Sequence, residues 1–473
     1  MLTALCLVAV LAGQTTSDPQ PQPQSQPPTA QEQEPAQLAA VKKPKKKKVA
    51  RETEAAPDEP IDPEVPEPGT GLRTEWKQHP SLRFGDVLRV DFEAKFQEDG
   101  HSSYGPVQGL NTWELHRNRV GIKGALFKNI QYEVEYELTE KELTDHDVLL
   151  GYTPNSQWKD VNVNLTWVKK AQIQIGKFKV PFGLDELTGV THNDYVYRSL
   201  GANYLAPARD IGTMVHGSFM KQGFTYATGA FVHDGDNARS KKIQGGDETF
   251  AGRVTARPIQ LFGTPSTGVV EIGTAFAISR LSDDSFRPNG LRGRTVMTQD
   301  NFYDTVYVKG LRRRWEADVD WTVGPASLRA EYTRVSDDRL GQGIGDEDLP
   351  DAHAHSWYVS GTWLVTGEDK RRPVRAANPL FEGGIGAVEV AVRIERIWFD
   401  SDQGTDPPFR NPRAETIYPE ADRVFTVGIN WTLNRFLKLQ FNGIREQVDD
   451  PERNPVSNGG AFWSRVVRLQ FLL

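Results

Sequence analysis

The sequence predicts an all-β protein: a transmembrane antiparallel β-barrel of about sixteen strands, with one long loop folded into the lumen as a constriction. Three observations predict it. From Asp86 onward, apolar and polar residues alternate with period two in segment after segment. No stretch has the roughly 20 consecutive apolar residues of a membrane helix. Aromatic residues make up 10% of the chain while hydrophobic residues reach only 38%, with a mean hydropathy of −0.54. That pairing suits many strands that each show apolar side chains on one face only.

The 473 residues carry a formal net charge of −7, which argues against a nucleic-acid partner. Cys6 is the single cysteine, so neither a disulfide framework nor a cysteine-based zinc site can form. Residues 1–13 read as a signal peptide, because an apolar run from Leu2 ends in the small residues Ala12 and Gly13. Residues 14–75 read as a disordered linker. Pro, Gln and Glu dominate it, and the cluster from Lys42 to Lys48 adds like charge. Such a segment cannot bury enough apolar surface to offset its ordering entropy. The lysines suit a solvated stretch or contact with an anionic envelope polymer. Residues 80–473 form the barrel.

In the first barrel segment Leu88, Val90, Phe92, Ala94 and Phe96 alternate with Arg89, Asp91, Glu93 and Lys95. Ile130, Tyr132, Val134, Tyr136 and Leu138 alternate with Gln131, Glu133, Glu135 and Glu137. Val161, Val163, Leu165 and Trp167 follow, then segments at 315–321, 357–365, 388–394, 425–433 and 467–473. Their length of about 9–11 residues fits a tilted transmembrane strand, against about 5–6 in a soluble sandwich. In a membrane barrel the apolar row meets lipid and the charged row meets a wet lumen. Closure leaves no backbone edge unpaired in hydrocarbon.

Gly176–Asp210 interrupts this pattern. About thirty residues without a sustained period are functional or disordered. This stretch is rich in Phe, Tyr and Leu, which disordered segments avoid, so it is expected to be ordered and folded inward. Pro181, Gly183, Pro207 and Gly212 are expected to shape it.

The stretch Ile175-Gly-Lys-Phe-Lys-Val-Pro-Phe-Gly183, then Tyr197-Arg-Ser-Leu200 and Ala206-Pro-Ala-Arg-Asp-Ile-Gly212, resembles the phosphate-selective porin O and P family of Gram-negative outer membranes. Leu115-His-Arg-Asn-Arg-Val-Gly-Ile-Lys-Gly124 is similar to that family's Arg-rich second strand, and Gly386–Arg393 to a late strand motif. The resemblance covers residue 80 to the end. It implies an outer-membrane location, a sixteen-stranded barrel that is usually a homotrimer, one pore per subunit, selectivity for phosphate or similar anions, and a fifth-to-sixth-strand loop inside the lumen. His116 stands where the family usually carries another Arg, and Leu473 where outer-membrane barrels usually end in an aromatic residue. The Glu133, Glu135 and Glu137 row adds negative charge to the same lumen.

Anion selection needs fixed cations and donors that replace hydration without trapping the ion. Arg117, Arg119 and Lys123 share one strand face opposite Val120 and Ile122. An Arg aimed at mid-bilayer lipid costs about 2–4 kcal/mol, so the three are expected to face the lumen. They either line an anion path or pair with the glutamate row. Lys177, Lys179, Arg198 and Arg209 complete the candidate path. Strict alternation aims Lys177 and Lys179 with Ile173 and Ile175 toward lipid, so either Gly176 marks a bulge or both sit at the rim. Arg198 and Arg209 act at the constriction or anchor to Asp194 or Asp210. His353 and His355 share a strand face without an evident third metal ligand, and Asp346, Glu347, Asp348 and Asp351 read as a solvated loop. No metal, cofactor or catalytic motif is found. The expected function is passive diffusion of small anions. A porin of broad selectivity is the second reading, and an outer-membrane enzyme or a secreted β-rich binding protein the third.

Overall fold

The computed structural model describes residues 71–76, 79–85, 87–104, 112–139, 157–236, 248–259, 268–282, 288–450 and 460–473. The expected signal peptide and the lysine cluster lie outside the described residues.

Sixteen strands make a closed antiparallel wall. They are β3 (Leu88–Tyr104), β4 (Thr112–Leu126), β5 (Ile130–Glu137), β6 (Trp158–Leu165), β7 (Gln172–Lys179), β8 (Arg209–Phe219), β9 (Phe224–Phe231), β10 (Thr249–Ala256) and β11 (Val269–Leu281). The wall continues with β14 (Gly310–Val323), β15 (Ala326–Arg339), β16 (Leu349–Leu364), β17 (Ala387–Ser401), β18 (Glu420–Thr432), β19 (Leu437–Val448) and β20 (Ala461–Leu472). Closure comes from β20 pairing with β3, from Trp463↔Tyr104 to Leu472↔Lys95, and the backbones of Leu473 and Ala94 then bond reciprocally. Below that point β3 has a free edge. A short hairpin, β1 (Leu72–Trp76) and β2 (Pro80–Phe84), covers it through Ser81↔Asp91 to Phe84↔Leu88. Strand β1 therefore begins inside the stretch expected to be linker. Five residues are too few to show a period against the Pro- and Glu-rich background.

The alternation resolves as expected over most of the wall. Val161, Val163, Ile173, Ile175, Ile211, Val215, Ile272, Phe276, Val390, Val392, Ile394, Val427, Ile429 and Leu469 are exposed on the outer face, while Arg253, Glu316, Asp318, Arg329, Glu331, Glu389 and Arg468 are buried on the inner one. Strand lengths depart from the expectation. Strands β5, β6, β7, β9 and β10 have eight residues each, whereas β14 to β20 run from 12 to 16. The tall strands extend past the height that hydrocarbon demands.

Tight connections at 127–129, 166–171, 220–223, 324–325 and 433–436 gather at one end. Positive φ at Phe127, Lys128, Met220, Lys221 and Gln222 closes two of them. The long connections at 180–208, 282–309 and 402–419 lie at the other end, the extracellular side in barrels of this kind. The 282–309 connection holds a two-strand ribbon, β12 (Gly293–Arg294) with β13 (Asn301–Tyr303).

Candidate functional site: the lumen and its inward loop

Residues 180–208 leave the wall after β7 and cross to the strands opposite. Helix α1 (Leu184–Leu187) starts at Gly183, whose φ of 80° suits glycine. Helix α2 (Leu200–Tyr204) starts at Ser199, whose side-chain oxygen accepts from the Ala202 N–H at 3.3 Å. Phe182, Leu200 and Leu205 are fully buried, which is the inward packing that the aromatic and aliphatic content predicts.

Polar contacts from β14 to β20 fix the loop along its length. The Asp185 N–H donates to Glu331 Oε2 at 3.0 Å, the Val196 N–H to Asn442 Oδ1 at 2.8 Å and the Leu200 N–H to Glu395 Oε2 at 2.7 Å. In the other direction Lys438 donates to the Asn193 carbonyl at 2.8 Å, Asn430 to that of Asp194 at 2.8 Å, Arg468 to that of Val196 at 2.7 Å and Arg314 to that of Leu205 at 2.8 Å. A loop segment buried in a lumen needs such partners, because an orphaned backbone group costs about 1–3 kcal/mol. Asp194 is tied most heavily. Lys370 meets it at 2.6 Å and Arg372 at 3.3 Å. Burial raises the pKa of its carboxyl, but the two cations outweigh burial and hold it below the usual carboxylate range.

The loop is pinned to β14–β20, and the inner face of β3–β5 carries a second dense set of charges. There, charged rows cross the strands: Asp91↔Lys123↔Glu133 alternate in sign in one register row, and Lys95↔Arg119↔Glu137 set two cations beside one carboxylate in another. Arg119 Nε is 2.7 Å from Glu137 and its NH1 is 2.8 Å from Glu135. Lys95 meets Glu135 at 2.6 Å, and Lys123 pairs with Glu93.

The structure brings Arg117, Arg119 and Lys123 onto the inner face, as their shared strand face requires. Arg119 and Lys123 pair with carboxylates of neighbouring strands. Arg117 differs: its NH1 donates to the neutral amide oxygen of Gln97 at 2.6 Å. Gly176 has φ of 127°, yet the β7–β8 ladder runs without a shift from Gln172↔His216 to Lys179↔Arg209. Lys177 therefore stays in the row of Ile173 and Ile175 and bonds Asp236 at 3.1 Å. Gly176 sits opposite Gly212, and a Cβ at Gly176 would meet the Val161 carbonyl at 2.2 Å. Its freedom holds the strand together where a bulge was one expectation, so Lys177, Lys179 and Arg209 belong to strands rather than to the loop. Lys179 ends the ladder and turns inward, donating to the carbonyls of Glu186, Leu187 and Thr188 at 2.8, 3.1 and 3.3 Å. Those are the carbonyls at the C-terminal end of α1, which favour a cation. Arg198 bonds the Thr188 carbonyl at 2.6 Å and Glu186 at 3.4 Å. Arg209 forks onto Asp160, with NH2 at 2.7 Å. Neither arginine anchors to Asp194 or Asp210. Pro181, Gly183 and Pro207 lie in the loop, and Gly212 in the strand that leaves it.

Two features escaped the sequence. The first is Lys370 and Arg372, carried into the lumen by the 365–386 connection from the end where turns are short. Lys370 is 2% exposed and also pairs with Glu389. The second is an apolar cluster inside the barrel. Leu291, Val296, Phe302, Tyr303, Val306 and Val308 of the 282–309 connection pack on Leu200, Tyr204 and Leu205 of the inward loop. Beneath them are Val335, Ile397, Phe399, Val424, Ile444, Phe462 and Val466. The inner face of β15–β20 therefore carries an apolar cluster toward the long-loop end, set among the buried carboxyls of Asp337, Glu420, Asp422 and Glu446, where a charged row alone was expected. The signal was in Ile397-Trp398-Phe399 and Val424-Phe425, where adjacent residues are all apolar.

His353 and His355 do not converge. Their rings are 6.3 Å apart, His353 bonds Asp402 at 3.1 Å, and His355 stacks on Trp398 and bonds Tyr332. Glu347 and Asp348 accept from the N–H groups of Gly345 and Gly341 in their own loop.

Comparisons place this architecture. No curated protein matches the sequence. Among solved structures, OmpT of Vibrio cholerae expressed in the outer membrane is similar with a TM-score of 0.51 at 10% identity, over 83% of this chain and 99% of that one. In-vitro folded Vibrio cholerae OmpT in trimer form gives 0.51 at 12%, over 82% and 100%. Salmonella typhi OmpF in complex with daunomycin gives 0.50 at 9%, over 82% and 98%. At such identities the likeness shows the fold alone. The family model for phosphate-selective porin O and P matches residues 95–472. An inward-facing polar wall, an apolar outer face, a loop pinned across the lumen and that match lead to one conclusion: the chain belongs to the phosphate-selective porin O and P family and is a porin of the Gram-negative outer membrane.

Proposed function

We propose that this porin passes small anions by passive diffusion through the strip of lumen between the inward loop and β3–β6, with Arg117 as the group that tips the charge balance. The setting of Arg117 supports this reading. Its direct partner is a neutral amide, and Glu137 acts on it electrostatically together with three cations, Arg119, Arg468 and Arg198. Those three are matched by Glu135 and Glu137, by Glu186, and by Asp99. Of the four cations, Arg117 is the one whose direct bond goes to a neutral group, so its charge is the one left to offer. Its planar fork suits phosphate or carboxylate, and one bond spent on Gln97 keeps the site weak enough for an ion to leave. Phosphate is the anion in the family's description. Outer-membrane lipid surrounds the barrel, a homotrimer like the trimer form of Vibrio cholerae OmpT is the proposed assembly, and no catalytic step is assigned.

The pairing of acidic and basic rows on β3–β5 favours a second reading, a porin of broad selectivity. Reversal potential in a planar bilayer under a KCl gradient separates the two. The expected sign is anion-selective, and Arg117→Ala moves it toward zero. A wild-type potential near zero supports the broad reading, and a cation-selective sign rejects anion passage.

A further inference from the structure

We infer that the lumen-facing rim of β3 and β4 holds a binding site for a divalent transition metal ion of the zinc type, with His101, Glu114 and His116 as ligands and Asp99 as the group that steadies them. The site begins with the strand register. His101 pairs with Thr112 and Asp99 with Glu114, so all four side chains share the inner face. One residue later the register shifts: Glu98 opposes Leu115 while Gln97 opposes Arg117. His116 is the extra residue of that bulge. Bulges re-aim side chains, and this one turns His116 toward the face that carries Glu114 and Asp99.

Distances match an ion's coordination sphere. His116 Nδ1 lies 3.3 Å from Glu114 Oε1 and His101 Nε2 lies 3.7 Å from the same oxygen. A tetrahedral ion with bonds of about 2.1 Å sets its ligands about 3.4 Å apart. Each imidazole therefore stands at ligand-to-ligand spacing from the same carboxylate oxygen, and ligand atoms of Asp99, Glu114 and His116 all lie within 4.8 Å of one another. Thr112 Oγ1 is 2.8 Å from His101 Nδ1, which leaves Nε2 directed at Glu114. The His116 ring meets Tyr197 of the inward loop edge-on at 5.9 Å. Asp99 is a poor ligand, because Arg468 occupies both its oxygens at 2.6 Å. It lies 3.5 Å from His116 Nδ1 and fixes that ring's approach.

Chemistry narrows the ion. Two imidazoles and one carboxylate favour zinc and its neighbours over calcium or magnesium, which take oxygen ligands. The site holds its ion whatever the channel selects.

Untagged full-length protein in detergent, stripped with chelator and titrated with Co2+, tests this. The expected result is one ion per chain with the visible absorption of tetrahedral Co2+, bleached when Zn2+ displaces it. Thr112→Val weakens binding about tenfold by releasing the His101 ring, and H101Q/H116Q loses the bands. Heat-modifiable gel migration confirms that each variant is folded, and Glu114→Gln provides a third loss should the double variant fail that check. Wild-type protein without Co2+ bands, or H101Q/H116Q with the wild-type spectrum, overturns the site.

Discussion

The loop of residues 180–208 reaches the far wall mainly through hydrogen bonds and ion pairs, whereas the 282–309 connection lies on that wall mainly through apolar packing, beside a polar pin from the Val296 N–H to Glu446 Oε2 at 2.7 Å. Both fill the lumen of one barrel, and both meet β14–β20. The first runs where the wall is lined with Glu331, Glu395, Asn430, Asn442 and Arg468, so its backbone groups find partners one by one. The second runs above, where Ile397, Phe399, Val424 and Ile444 face inward. Polar pins set position residue by residue, because each needs its own geometry. Apolar packing sets only volume. The difference teaches that one lumen can be gripped by direction at mid-depth and by bulk at the rim.

That contrast can be broken from either side. The largest expected effect is on the apolar side. Phe302 is fully buried, with its ring 6.1 Å from that of Phe399, so Phe302→Ala should cost about 3–5 kcal/mol. Thermal unfolding in detergent measures it, and the reversal potential of the surviving channel should not move. A change in selectivity would mean that the two loops are not separate in function. Next is Lys370→Met, which breaks a buried pair at a cost of about 3 kcal/mol, the low end because Arg372 still holds Asp194 and Asn430 still bonds Glu389. Open-channel noise should rise as the loop loosens, and noise equal to wild type would show that Lys370 does not secure it. The smallest effect is of pH. The Asp194 carboxyl titrates lower in the folded protein than in the unfolded chain, so its contribution is complete above about pH 4 and is lost as pH falls further. Noise should stay flat from neutral pH down to about 4 and rise below it; an increase between pH 7 and 5 would assign the change to another group.

Much of this was legible in the chain. Phe425, Val427 and Ile429 face outward as their spacing requires, because a strand's side chains alternate whatever surrounds it. Arg117, Arg119 and Lys123 face inward for the same reason. The content of Phe182, Leu200, Tyr204 and Leu205 announced an ordered loop. The partners of these residues were not legible. Arg119 meets Glu135 and Glu137 only because β4 and β5 adopt one register, and Arg209 meets Asp160 across 49 residues of sequence. The bulge that re-aims His116 leaves no mark in composition. Lys370 looked like one more loop lysine, since nothing near it in sequence names Asp194 as its partner.

What the sequence determined by itself is which side of each ribbon is greasy, how many ribbons there are, and where the wall is interrupted. These are local properties, carried by period two and by the cost of placing charge in hydrocarbon. Tertiary structure decided which cations are spent on carboxylates and which keep charge to offer. It also decided which stretch of lumen is lined with charge and which is packed. Those outcomes depend on register and on closure of β20 onto β3, because an ion pair needs two groups a few ångströms apart and no single segment specifies where its distant neighbour will stand.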